Sequence, residues 1–575
     1  MIRSLTSSLA LLGILAAGIA LVPAEPSSLP GLITEYRADG QSIAQAWRLP
    51  WSEVQNDRTG RHAGDWLKRL DAAPFESMAH DDQVDWLLLR YHLQQQMAEL
   101  ARDRKRLAEM ESLLPFRQAI QRLETARLQG SAMDPAQAAS EIAAQLKPLE
   151  ALKKQLEDQR KADATVPSVP LSPVLALRAA SATDAIRESL TEWFKFHDGY
   201  QPDFGWWVRQ PCGKLTEALE AHAKFLREEI AGQKGKPEDP LIGEPLGAAD
   251  LATEIAGEML PYSAAELIAI GEREFAWCEE QMRAVAAELK TDTAGVLQKV
   301  KAAHVPPGEQ PALVAAEAER AIAFLKKHDL VTIPPLCEET WRMKMIPPDL
   351  QKTLPYAVYS QPSIMVAYAT DAMPHEDKQM AMRGNNRHFT RIVTPHELIP
   401  GHHLQRYASD RSRPWRDLFF TPFYVEGWAL HWEMLFWDRG YAESPEDRAG
   451  MLFWRMHRCA RIIVSLKFHL GQMTPAQMVD FLVQRVGHET MGATSEVRRY
   501  INGSYGPLYQ AGYMLGGLQL RALHRELSGN GKLSEKAFHD AVLAQNMMPI
   551  ELLRAALTGA PLTRDWKSTW RFAGP

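Results

Sequence analysis

The sequence predicts a mostly α-helical fold with a small β element beside one motif-rich stretch. Apolar residues recur at spacings of three and four over much of the chain, as in Val84, Leu87, Leu88 and Tyr91, the period of a helix that buries one face. Convincing strand signals are confined to residues 340–345 and, more strongly, 363–369, where β-branched and aromatic residues collect. A chain of 575 residues, 46% of them hydrophobic, is ample for a large core.

The first residues, MIRSLTSSLALLGILAAGIALVPAEP, hold one arginine, an apolar run from Leu9 to Val22, and small residues at Val22-Pro23-Ala24. The run is short for a membrane span and ends in a cleavage-like pattern. Residues 1–24 therefore read as a secretory signal rather than an uncleaved anchor. The expected product is an exported protein, periplasmic or extracellular, with no membrane contact once the signal is removed. No cysteine follows the run, which argues against lipoprotein processing.

Residues 25–241 read as an N-terminal helical region and 242–575 as a second region, the two packing as one unit. Helical patterns cover 80–129, 135–159, 173–197 and 214–232, with a Pro- and Ser-rich loop at 166–173. The aromatic stretch 193–211 reads as packing under a helix corner rather than a substrate shelf. Ser263 followed by Glu266 has the form of a capping box, opening a helix that runs to about Leu289. Another helix, 310–328, leads into the two strands.

The chemistry concentrates in HELIPGHHLQ (396–405) and EGWALHWE (426–433). Two imidazoles, a carboxylate beside the first and a later helical carboxylate suit zinc, which takes nitrogen and oxygen donors and keeps an open position when catalytic. The candidate ligands are His396, His402 and Glu426, with Glu397 as general base. On an unbroken helix a spacing of six turns two rings about 120° apart. Pro400 cannot donate to the carbonyl of His396 and clashes with it, and Gly401 tolerates the conformation a break needs. A break there returns a second histidine to the face of His396, with His402 and His403 both open as that partner. Glu426 sits among Trp428, Leu430, Trp432 and Leu435. A carboxylate so placed needs a partner; a metal supplies one, and a salt bridge to an arginine between Arg406 and Arg416 is the competing possibility. The pairs His375-Glu376 and His488-Glu489 lack a partner at helical spacing and read as solvated loop and structural, respectively.

These residues resemble the bacterial domain of unknown function 885 family, which is grouped with gluzincin-type zinc metallopeptidases. HELIPGHHLQ with EGWAL carries the resemblance, and LPYSAAELIAIGERE extends it upstream. It implies a large helical metallopeptidase fold with a deep cleft and a small β-sheet next to the metal-binding helix. In helical gluzincins the third ligand is a glutamate about two dozen residues past the second histidine; Glu426 follows His402 at that distance, which favours His402 over His403. In those relatives a strand beside the metal helix pairs with substrate backbone, and 363–369 is the candidate here. Relatives also carry an aspartate one turn after the ligand glutamate to orient the first histidine. Leu430 stands there instead, leaving His431 or Glu433 for that task.

Tyr505, Tyr509 and Tyr513 recur at four and share one side if helical. A phenol near a metal can donate to a developing oxyanion, and an arginine can grip a terminal carboxylate with two parallel bonds. The resembled family has Arg-Tyr-Ile, then Pro and Gly, then Tyr-x-x-Gly in this stretch. Arg499, Tyr500 and Tyr513 to Gly516 match it, while Gly506-Pro507 reverses the middle. Tyr513 is thus the expected catalytic donor, and Arg499, Tyr509 and Tyr505 the expected substrate contacts.

The charge balance of 65 basic against 71 acidic residues, without a basic stripe, excludes nucleic acid as a natural partner. Cys212, Cys278, Cys337 and Cys459 are scattered, so sequence pairs none of them. The resulting expectation is an exported zinc peptidase cutting short peptides. A zinc hydrolase of another amide or ester and an inactive periplasmic peptide-binding protein are the alternatives; the intact Glu397 argues against the latter.

Overall fold

The computed structural model describes residues 28–161, 169, 171–236, 238–352 and 354–574; the signal assigned to 1–24 lies outside them. Helices make up 70% of the described residues and strands 2%, so helix packing builds the core and the sheet is a local device. The helices Leu29–Ala46, Glu53–Asp71 and the first part of His80–Met110 share one apolar cluster with the C-terminal helices. Residues between Leu107 and Ala231 supply a second cluster, and Val314, Ala318, Ile364, Val366 and Leu398 form a small third one at the sheet. Among the described residues no helix is long and apolar enough to cross a membrane.

Prolines explain where the predicted helices divide. The pattern over 80–129 becomes His80–Met110, a 3₁₀ turn and Arg117–Leu128, because Pro115 pushes Leu114 out of the helical region, to φ −126° and ψ 52°. The pattern over 135–159 splits into Pro135–Ala144 and Leu146–Lys161, since Pro148 cannot bond back to the carbonyl of Ala144. The helix placed at 214–232 starts earlier, at Phe204, carries Pro211 in its interior and ends in a π turn, Phe225–Ile230. The aromatic corner is divided: Trp193 and Phe204 are buried, but Phe196, Tyr200 and Trp206 are exposed. The capping box forms as expected, Ser263 Oγ accepting from the Glu266 amide at 3.3 Å and Glu266 accepting from the Ser263 amide at 2.7 Å. Gln310–His328 is helical over the span its pattern predicts. His375 and Glu376 are exposed, but they open a helix, His375–Gly384, rather than lying in a loop.

The sheet has three strands, β1 (Arg342–Met345), β2 (Ala357–Ser360) and β3 (Ser363–Val366), in the order β1-β3-β2. β3 runs parallel to β1 and antiparallel to β2. All four cysteines are buried and free.

Candidate metal centre

The first histidine rides on the helix Arg387–Glu397, whose start is capped by Asn386 accepting from the amides of His388 and Phe389, each at 3.0 Å. Phe389 stacks on Phe453 at 4.3 Å, fixing this helix against Pro445–His469. The helix stops at Glu397, and Leu398 leaves helical geometry with φ −105° and ψ −106°. A new helix, His402–Ser409, begins after Pro400 and Gly401. The Gly401 amide donates to the Pro395 carbonyl at 2.9 Å. A Cβ on Gly401 would lie 1.7 Å from the carbonyl oxygen of His396, so glycine is required by close approach. Trp428 donates from its indole to the Pro400 carbonyl at 2.8 Å, tying the break to the helix Pro422–Asp438 that bears Glu426. The break brings the His396 and His402 rings to 4.9 Å, nearly perpendicular.

Glu426 reaches the same point because two helices touch backbone to backbone. A Cβ on Gly427 would sit 2.6 Å from the Gly516 carbonyl carbon, and one on Gly516 2.1 Å from the Phe423 carbonyl oxygen. This crossing also seats the helix Tyr509–Leu527, so that the Tyr509 hydroxyl donates to Glu426 Oε1 at 2.7 Å. Leu430 packs against Gly517 at the crossing, which accounts for an apolar residue at this position.

Glu426 Oε2 lies 3.5 Å from His396 Nε2 and 3.3 Å from His402 Nε2, yet it is buried without a hydrogen-bond partner among the described residues. Those are the one set of three His, Cys, Asp or Glu side chains among the described residues whose ligand atoms all fall within 4.8 Å of one another. His396 Nδ1 faces Glu433 Oε1 at 2.7 Å. A neutral His396 that donates there turns a lone pair, not a proton, toward Glu426. Three electron-rich atoms then converge with nothing positive between them, which is what a bound cation corrects. The field acts on protons too. Burial alone would lower the pKa of His396, but the Glu426 and Glu433 carboxylates overcome it and lift the pKa to about 9. Burial would raise Glu426, but the two imidazoles hold it well below the usual carboxylate range. The residues present fit a divalent cation of the zinc type, with Glu433 as the orienting carboxylate.

The remaining alternatives resolve. His403 turns away, its ring nitrogens 3.2 Å from the Tyr359 hydroxyl and 2.9 Å from the Cys337 carbonyl; His402 is the ligand candidate. His431 contacts His539 rather than His396. Glu426 makes no ion pair with the arginines between 406 and 416 among the described residues. His488 is structural, buried between Tyr356 and His457.

A cavity of about 230 Å³ opens over this cluster, lined in part by His396, Glu397, His402, Glu426, Tyr509 and Tyr513. Glu397 is buried in its wall. Tyr513 lies parallel to His396 with ring centroids 6.3 Å apart. Burial, and then the Glu426 charge, push the phenols of Tyr509 and Tyr513 above their ordinary range, so both stay donors. Tyr505 precedes the helix that begins at Tyr509, because Gly506 and Pro507 interrupt the pattern, yet its ring stays 4.5 Å from Tyr509. Arg499 lines the cavity but is paired with Glu496 at 2.9 Å. The strand assignment needs correction: β3 is central and paired on both sides, and the edge strand β2 supplies Ala357, Val358 and Tyr359 to the cavity wall. Sequence reasoning also passed over Arg458, Arg461 and Glu496, which line the same cavity. Their signal was a set of charges, Arg455, Arg458 and Arg461, three apart within a helix that is buried almost all round.

The fold and site together define a class: large helical proteins with a His-His-Glu cluster beneath a small sheet edge. This chain belongs to the family described as "Bacterial protein of unknown function (DUF885)", whose profile matches residues 38–557. It is similar in structure to a candidate lipoprotein of unknown function from Shewanella oneidensis, with TM-score 0.67 and 16% identity over 92% of this chain and 100% of that one. A candidate lipoprotein from Colwellia psychrerythraea is also similar, with TM-score 0.56 and 14% identity over 92% of this chain and 98% of that one. No curated protein matches this chain.

Proposed function

We propose that this chain is an exported, zinc-dependent peptidase of the gluzincin type that hydrolyses short peptides. The observation that carries the reading is the buried, unpartnered Glu426 Oε2 facing two imidazole Nε2 atoms in a cavity that also holds Glu397. The motif resemblance supports it, and the leader together with similarity to candidate lipoproteins supports export.

Zinc held by His396, His402 and Glu426 would polarise the scissile carbonyl and acidify an attacking water. Glu397 takes the proton of that water and passes it to the leaving amine nitrogen. Tyr513 donates to the carbonyl oxygen as it gains negative charge. Tyr509 occupies Oε1 of Glu426, which leaves Oε2 for the ion. Glu433 fixes the ring orientation of His396. The free edge of β2 aligns an extended peptide by backbone pairing, and a cavity of about 230 Å³ suits a single thin chain rather than a folded protein.

The test is digestion of a mixed-peptide set by zinc-loaded protein, read by mass spectrometry, with Glu397→Gln in parallel. The expected result is cleavage by the wild type and a drop of at least about 10³-fold in Glu397→Gln with zinc content unchanged. Zinc-loaded wild type that cuts no peptide overturns the reading.

A further inference from the structure

The wall beyond Tyr513 is more positive than its own carboxylates can balance. Arg458, Arg461 and Arg499 line the cavity there, and Glu496 is the carboxylate among them. Arg461 donates from Nη2 to Glu496 at 2.9 Å and from Nε to the Tyr500 hydroxyl at 3.0 Å. Its Nη1 is buried and has no partner among the described residues, although the side chain is only 3% exposed. Arg499 spends its Nη2 on the same Glu496 oxygen. Among the described residues Arg458 has only Glu433 for a counter-charge, at 3.8 Å, and Glu433 is already engaged by His396. Three guanidiniums, two of them buried and that of Arg499 half-buried, thus face two carboxylates. An unbalanced buried cation with an idle donor is expensive, and the chemistry that corrects it is an anion with planar, two-pronged acceptors.

Position says where that anion sits along a substrate. The Arg461 guanidinium lies 4.3 Å over the Tyr513 ring and that of Arg458 5.0 Å, while His396 stacks parallel to the same ring at 6.3 Å. One aromatic ring separates the guanidinium cluster from the metal ligands. Successive Cα atoms are about 3.8 Å apart, so a carboxylate held there belongs to the first or second residue after the cleaved bond.

We infer that Arg461 and Arg458, with Arg499 beside them, form the subsite for the free α-carboxylate of the substrate, so that the enzyme trims one or two residues from peptide C-termini. The inference rests on the peptidase reading above and names its substrate class. It also adds Arg461 and Arg458 to the gripping role that the sequence offered to Arg499.

The experiment compares one pentapeptide in four forms with zinc-loaded wild type: free acid, C-terminal amide, N-acetylated free acid, and an amide ending in glutamate. The free acid should lose one or two C-terminal residues. Amidation should lower kcat/KM about a hundredfold, and N-acetylation should change it less than about threefold. Arg461→Lys, which keeps the charge and loses the fork, should raise KM for the free acid about tenfold with a smaller change in kcat. Equal cleavage of acid and amide overturns the subsite and leaves the peptidase reading standing. Restoration by the amidated glutamate also overturns it, in favour of an acidic side chain. If no form is cleaved, the peptidase reading fails, and calorimetry with the same peptides judges the subsite. Amide binding at least about tenfold weaker than the acid supports it, and equal binding overturns it.

Discussion

Two histidine clusters share the helix Pro422–Asp438, and they differ in everything except ring spacing. At Glu426, the His396 and His402 rings are 4.9 Å apart. At His431, the rings of His431, His524 and His539 lie 5.1 to 5.4 Å from one another. The second group is a core arrangement. The His539 Nδ1 donates to the Leu330 carbonyl at 2.8 Å, so its Nε2 accepts from His431 Nε2 at 2.9 Å. Burial, and then neighbouring histidines, hold His431 well below its ordinary range and bring His539 to about 3, so both stay neutral. The first group has what the second lacks: a buried carboxylate between the rings, a second carboxylate behind one ring, and a cavity with Glu397 in its wall. Histidines brought together are not a site. The carboxylate geometry around them makes one.

The comparison breaks hardest at the ligands. His396→Ala should abolish stoichiometric zinc binding and lower peptide hydrolysis by at least about 10³-fold, whereas His539→Ala should leave zinc content unchanged, as measured by mass spectrometry of the dialysed proteins. Gly401→Ala comes next, because its Cβ would sit 1.7 Å from the His396 carbonyl oxygen. It should lose both zinc and several kcal/mol of stability, about 3 or more, in denaturant unfolding. Glu433→Gln should weaken zinc affinity about 10- to 100-fold in chelator competition, and His431→Gln should not change it.

The smallest effect is on pH dependence, and its sign follows from the neutral cluster. An unfolded histidine binds a proton near 6.5, while folded His539 binds one only near 3. The stability this group contributes is full above about pH 6.5 and is lost as pH falls toward 3. His539→Gln should therefore flatten the acid limb of the stability curve between those values by about 1–3 kcal/mol, with zinc content unaltered.

Local signals carried much of this arrangement in the sequence. The helical period, the Ser263 capping box, the prolines and the Pro400-Gly401 break are all written within a few residues of where they act. So is the HELIPGHHLQ constellation, although the break alone left His402 and His403 both open. Long-range contacts were not legible. The motif left His431 and Glu433 both open to orient His396, and nothing local chose Glu433, two turns past Glu426. The meeting of Glu426 and Tyr509 depends on Gly427 and Gly516 letting two helices touch, and a lone glycine in a helical pattern fits a bend or a cap as well as a close crossing. Strand signal strength pointed to 363–369, but which strand lies at the edge depends on pairing order, and that exposed β2 instead. The arginines of Pro445–His469 carry no local signal of their role, which burial and unpartnered nitrogens reveal.

The most direct measurement is anomalous diffraction at the zinc edge from crystals of zinc-loaded protein. One peak within about 2.0–2.2 Å of His396 Nε2, His402 Nε2 and Glu426 Oε2 is the predicted result. A peak at His431 and His539 instead, or full zinc loading in solution with no peak at the first cluster, would contradict the assignment of this site.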